Sequence, residues 1–280
     1  MRDRQPVIVV TDSTSDIPKH LAEAFGIEVV PLTISFDGES FRDGIDLTPA
    51  EFITRLRHAP TLPKTSQPAV TSFETVFRDA RERGQDVVCV TVSADLSGTH
   101  NAARLAAEQV DPDHIRIIDS RAATMQLGWV AIAAARIAQQ GAEIDRVAQA
   151  ASTAIARVKM YAVLQSLDYV YKGGRIGRAQ QLVGSALAIK PILSFVDGVL
   201  VPVERVRTWK KAIARAGALI TPTPSGIIVL HSDNLADAQS VAAGLSLTYP
   251  GATMEITFVG ATITTYAGPG AVGVAALYPE

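Results

Sequence analysis

The chain alternates between short apolar runs and longer stretches with helical spacing. Val7 to Thr11 is a nearly continuous apolar run, as expected of a strand buried on both faces. The polar segment Asp12-Ser13-Thr14-Ser15-Asp16 follows, then a helix-like stretch through Phe25, then Gly26. Ile27 to Phe36 reads as one further strand, and Asp37-Gly38 signals a hairpin turn. Thr48-Pro49-Ala50-Glu51 has the form of a capping box with proline at the first helical position, predicting a helix to about His58. Thr71-Ser72-Phe73-Glu74 has the same form. Phe73, Val76, Phe77 and Ala80 would share one face of that helix, and Gly84 would end it. Asp86 to Ser93 predicts a buried strand, Leu96-Ser97-Gly98-Thr99 a loop leading into a helix through about Val110, and Ile115 to Ile118 a strand. Two alanine-rich helices are expected, about Ala122 to Gln140 and Ile144 to Val158. Strands alternating with helices predict a mostly parallel sheet flanked by helices on both faces.

The character changes near residue 158. Met160 to Leu164 reads as a strand, and Gly173-Gly174-Arg175-Ile176-Gly177 breaks the pattern. Ile192 to Phe195, Asp197-Gly198 and Leu200 to Val206 read as strand, turn, strand. A helix over about Thr208 to Leu219 precedes a loop with Pro222 and Pro224. Then come a strand at Ile227 to Leu230, a helix at Leu235 to Leu247 and a strand at Met254 to Val259. The expected fold is therefore α/β, with an N-terminal parallel-sheet domain over residues 1–158 and a C-terminal α+β domain over residues 159–280.

Composition narrows the classes. The chain is 48% hydrophobic and 19% charged, as folded globular chains are. A net charge of −2 supplies no global basic field for nucleic acid or anionic lipid, so any anion site must be local. The single cysteine, Cys89, excludes an internal disulfide and suits a reducing compartment; within Val87-Val88-Cys89-Val90 it reads as core. Met1-Arg2-Asp3-Arg4 leads into too short an apolar segment for a signal peptide. The stretch from Leu127 to Ala138 is broken by Arg136 and too short to span a bilayer, so it reads as a buried helix. A cytoplasmic protein without stable membrane insertion is expected.

Hydroxyl groups fall where strands hand over to helices. In an open parallel sheet, ligands bind beyond the carboxyl ends of the strands, and helix N-termini favour anions. Asp12-Ser13-Thr14 reads first as a helix cap. Thr65-Ser66-Gln67-Pro68 and Ser97-Gly98-Thr99 carry two readings, caps or a ligand site, and Gly98 would let a ligand approach the backbone. Arg175 in its glycine-rich segment is either a surface residue beside a helix end or a functional cation. Lys190, Arg205 and Arg207 fit an anion or partner site as well as a solvated strand face. His231-Ser232-Asp233 is not read as a triad, because triad members approach from different directions. The histidines show no metal-ligand spacing, and no P-loop, dinucleotide fingerprint or kinase signature is present.

Taken in order, the motifs resemble the DegV family of fatty-acid-binding proteins. They are Asp12-Ser13-Thr14-Ser15-Asp16, Pro31-Leu32, Thr65-Ser66-Gln67-Pro68, Ser97-Gly98-Thr99, Lys172-Gly173-Gly174-Arg175-Ile176, Ile189-Lys190-Pro191-Ile192-Leu193, Val206-Arg207 and Gly268-Pro269-Gly270. The resemblance implies a long-chain fatty acid in an apolar tunnel between two domains and no cofactor. Its carboxylate would be held by Thr65 and Ser97, with Ser66, Gly98 and Thr99 beside them. A separate kinase subunit would phosphorylate that carboxylate, so the chain itself would be a carrier and not an enzyme. Arg175 and Arg207 would face the head group or the kinase. One position departs from the family: a histidine is common two residues before Gly-Pro-Gly, and here Tyr266 stands there. Tyrosine donates a hydrogen bond but does not become a cation. Tyr266 is therefore expected to line the head-group site with altered chemistry. Two alternatives stay open on sequence: a stand-alone hydrolase or transferase with His100 as base, and a carrier of another amphipathic anion.

Overall fold

A computed structural model describes residues 6–36, 38–182 and 189–279 of the chain. The readings of Met1 to Arg4 and of Asp37 fall outside the described residues. The chain forms two compact units, one of residues up to Thr33 together with Ser66–Ala156, the other of Ile34–Thr65 together with Arg157 onward. The sequence places one boundary near 158. The structure has a crossing at 156/157 and assigns Ile34–Thr65 to the second unit as well.

The first unit is built on a parallel sheet whose strands run in the order Ile27–Val30, Val7–Asp12, Asp86–Thr91, Ile115–Asp119. Every residue of Asp86–Thr91 is buried, which is why that run shows no polar alternation. Helices Val70–Glu82 and Thr99–Val110 bring Phe73, Phe77, Ala102, Ala103 and Ala106 onto Val10, Val87 and Cys89. Each phenylalanine so buried contributes roughly 1.5–3 kcal/mol. The alanines allow the second helix to lie close. Helix Thr124–Gln139 buries eleven of its sixteen residues, as read for that apolar stretch, and Arg136 near its end stacks over Phe25.

Three readings change. Ile27 to Phe36 is two strands, Ile27–Val30 and Thr33–Phe36, and they belong to different sheets. Pro31 has no N–H to give a ladder, and the Leu32 N–H is taken by Ser13 Oγ at 3.0 Å. Beyond the break, Ile34 and Phe36 pack with Leu47, Phe52, Leu56 and Ala261 in the second unit. The capping box at Thr48 forms as read, with both reciprocal bonds, but the one at Thr71 does not. That helix starts at Val70, directly after Pro68-Ala69, so Thr71 is already helical and accepts from Thr75 through its carbonyl. The second alanine-rich helix stops at Ile155, because Val158 begins the next strand.

The second unit holds a six-stranded mixed sheet in the order Val199–Val206, Lys190–Val196, Val158–Val163, Val272–Leu277, Gly226–His231, Thr253–Phe258. All neighbours are antiparallel except the last pair. The hairpin turns at Asp197 and Gly198, both with positive φ, as a two-residue turn requires. Helices Trp209–Ala218 and Leu235–Thr248 supply Ile213, Ala216, Val241 and Leu245 to the sheet's core. The sequence reading missed the central strand Val272–Leu277 and the short helices Asp168–Lys172 and Ala261–Ala267. A three-stranded sheet, in the order Glu39–Arg42, Thr33–Phe36, Lys64–Ser66, carries Thr65. Among the described residues, no helix is long and apolar enough to cross a membrane.

Candidate functional site

In the first unit, polar side chains gather at the carboxyl ends of the parallel strands. Asp12 is fully buried there. Its Oδ1 accepts from the Thr14 N–H at 3.0 Å and the Thr14 hydroxyl at 2.5 Å, and its Oδ2 accepts from the Val92 N–H at 2.7 Å. Asp16 accepts from the Thr124 hydroxyl at 2.6 Å. The aspartates therefore cap a turn and tie adjacent segments together, in keeping with the capping reading.

Ser97, Gly98 and Thr99 come together where the loop enters helix Thr99–Val110. Ser97 Oγ lies 2.9 Å from Thr99 Oγ1 and also accepts from the Thr99 N–H at 3.3 Å. Thr99 is buried, Ser97 half-buried and Gly98 exposed. Gln67 lies directly over Gly98: a Cβ there would fall 1.9 Å from Gln67 Oε1. The Thr-Ser-Gln-Pro loop thus reaches the Ser-Gly-Thr loop through Gln67, while Ser66 is exposed. His100 Nδ1 sits 3.0 Å from Thr91 Oγ1. That imidazole serves a strand-end threonine, and nothing in the hydrogen bonding puts it on Ser97 as a general base.

The second unit brings Thr65 to Tyr266. Their hydroxyl oxygens are 2.5 Å apart. The tyrosine ring lies under the Arg175 guanidinium, 5.4 Å from centroid to carbon, and Arg175 donates to the Gly173 carbonyl at 2.9 Å. Three elements hold Tyr266 there. Asp43, buried, accepts from the N–H groups of Ala261 and Thr262 at the start of its helix, at 3.1 and 3.4 Å. Gly268, at φ 72°, ends that helix. Ser232 then pins the Gly268-Pro269-Gly270 loop: its hydroxyl donates to the Gly268 carbonyl at 2.5 Å and accepts from the Ala271 N–H at 3.1 Å. Ser232 is thus a structural clip, and the triad stays excluded. Asp43 is a structural support of that helix that sequence reasoning missed. Its only local signal, Asp43-Gly44, is that of an ordinary turn.

Arg175 and Arg207 are both exposed. Arg207 follows the edge strand Val199–Val206, and Lys190 donates to the Gln165 carbonyl at 2.5 Å. Cys89 is buried, and burial pushes its thiol well above the ordinary range, with the Asp12 charge adding to the effect. No group of three His, Cys, Asp or Glu that could hold a metal ion occurs among the described residues.

The family model described as "Uncharacterised protein, DegV family" matches residues 6–279. The chain belongs to the DegV family. A DegV domain-containing protein of Mycobacterium tuberculosis is 39% identical over 273 residues, covering 96% of each chain. Among solved structures, a DegV family protein from Thermus thermophilus, described as binding fatty acid, superposes with a TM-score of 0.89 at 29% identity, over 98% of this chain and 100% of that one. DegV from Bacillus subtilis, described as a fatty acid binding protein, gives 0.90 at 30% identity over 98% and 100%. A stearic acid-binding protein from Eubacterium ventriosum gives 0.86 at 27% identity over 96% and 97%. These structural neighbours are lipid binders of the same α/β architecture.

Proposed function

We propose that this DegV protein is a carrier of a long-chain fatty acid, held in an apolar tunnel between its two domains. Its carboxylate is bound by the hydroxyls of Thr65, Ser66, Ser97, Thr99 and Tyr266 and by the backbone at Gly98. The observation that carries this reading is the Thr65–Tyr266 hydroxyl pair, in a chain that matches fatty-acid-binding structures along its whole length. Two hydroxyls 2.5 Å apart share one hydrogen, which leaves the other free to donate to an anion. The Ser97–Thr99 pair has the same arithmetic. A desolvated carboxylate needs several such donors, and each buried CH₂ of the acyl chain adds about 0.8 kcal/mol.

The carrier presents its carboxylate to a separate kinase subunit, which transfers a phosphoryl group from its own nucleotide to a carboxylate oxygen. Neutral donors suit this step, because they hold the head group without a fixed ion pair. Arg175 and Arg207 face the head group or the kinase. Nine lysines and arginines fall between Lys172 and Arg215, against two acids, Asp197 and Glu204, in a chain of net charge −2. That concentration of positive charge along this stretch of the chain supports an anionic partner. The chain works in the cytoplasm and has no catalytic residue of its own.

The test is mass spectrometry of lipid released from natively purified protein. A stoichiometric fatty acid, lost in the Thr65→Ala/Ser97→Ala double variant, is the expected result. Protein that arrives empty and takes up no added fatty acid would overturn the reading.

A further inference from the structure

We infer that Gly173 is a positioning residue for the head group, acting through Tyr266; this rests on the fatty-acid reading above. Gly173 has φ −74° and ψ −9°, an ordinary right-handed conformation that any residue can adopt. Its backbone therefore does not call for glycine. The space around it does. A Cβ at 173 would lie 2.4 Å from Tyr266 Cδ1 and 2.6 Å from Cε1. Those are ring atoms of a side chain whose far end is fixed by Thr65. The neighbouring Gly174 is the opposite case, with φ +73° and open space where its Cβ would be.

The tyrosine ring is thus seated on the bare Gly173 backbone. Arg175 closes over the ring and donates to the Gly173 carbonyl. The position of this seat sets where the tyrosine hydroxyl meets Thr65. A methyl group at 173 must push the ring off by about an ångström to reach ordinary van der Waals contact. A hydroxyl pair at 2.5 Å does not survive that displacement, since hydrogen bonds weaken steeply with distance and angle. The free donor would then point away from the carboxylate. Gly173 need not touch the ligand at all.

The experiment compares fatty-acid affinity and melting temperature for wild type, Gly173→Ala, Gly174→Ala, Tyr266→Thr and Gly173→Ala/Tyr266→Thr, with a fluorescent long-chain fatty acid as probe. Gly173→Ala is expected to weaken binding about tenfold or more. Gly174→Ala is expected to lower the melting temperature through its backbone and leave affinity unchanged. In the Tyr266→Thr background there is no ring to displace, so adding Gly173→Ala should cost no further affinity. If Gly173→Ala is itself unstable, the double variant should recover its melting temperature. Wild-type affinity in Gly173→Ala, or an equal loss with and without the ring, overturns the inference and leaves the fatty-acid reading standing. A wild type that binds no fatty acid overturns both.

Discussion

The Tyr266 hydroxyl lies 2.5 Å from Thr65 Oγ1, joining residues 201 positions apart in the sequence. Only one of the two oxygens can donate to the other, so the pair offers one proton outward. Tyr266→Phe keeps the ring on its seat and removes that proton or its orientation. The expected cost in stability is about 1 kcal/mol, the usual worth of one hydrogen bond. Fatty-acid affinity should fall about tenfold, which corresponds to ~1.4 kcal/mol. Titration with a fluorescent fatty acid beside a thermal melt separates the two effects. Unaltered affinity would remove Tyr266 from the head-group site.

Asp12 makes a contrasting prediction. Both its oxygens are committed, to Thr14 and to Val92, and the residue is fully buried. Asp12→Ala strands two backbone N–H groups and a hydroxyl without an acceptor. At about 1–3 kcal/mol for each buried orphan, the variant should lose at least 3 kcal/mol in denaturant unfolding. A chain that tolerates this change within experimental error would refute the capping role.

The parallel sheet and its helices were legible because burial on both faces leaves unbroken apolar runs such as Val87-Val88-Cys89-Val90. The Ser97-Gly98-Thr99 loop was legible because a strand-to-helix junction places Ser and Thr at the helix start, whereas Thr65 and Ser66, read as loop, lie in the strand Lys64–Ser66. Less was readable near residues 34–65, where an apolar pattern cannot say which sheet a strand joins. Pro31 was the local clue to the break there, and the packing of Ile34 and Phe36 decided it. The strand Val272–Leu277 hides for another reason. Gly273, Ala275 and Ala276 weaken its β signal, yet it is buried throughout between two antiparallel neighbours. Asp43 and Gly173 make their contacts with residues distant in sequence, which no spacing rule reaches.

Cys89 should be inert in the native protein. The thiolate is the reactive species, and burial beside the Asp12 charge holds the thiol well above its ordinary range. Native protein should therefore resist a thiol-directed reagent, and one equivalent should react on unfolding. Fatty-acid binding should be the same in Cys89→Ala protein. Rapid labelling of the folded protein would contradict the buried placement.

His231 gives the pH prediction. Its ring packs 4.2 Å from Phe258, centroid to centroid, and its Nδ1 accepts from the Asn234 N–H at 3.3 Å. Burial pushes its pKa below the ordinary 6.5, and the Asp233 charge opposes that shift only in part. Asp233 is itself engaged by Arg57, which restrains its pull on the imidazole. A depressed pKa means that the folded state prefers neutral histidine, while the unfolded chain takes up a proton near 6.5. Stability from this group is therefore fully present above about pH 6.5 and is lost as pH falls below it. Protonation also removes the lone pair that receives the Asn234 N–H. His231 should therefore contribute a fall in melting temperature between pH 7 and pH 5.5. In His231→Gln protein, which keeps an acceptor and cannot protonate, that decline should shrink. Equal slopes in the two proteins would show that another group controls stability in this range.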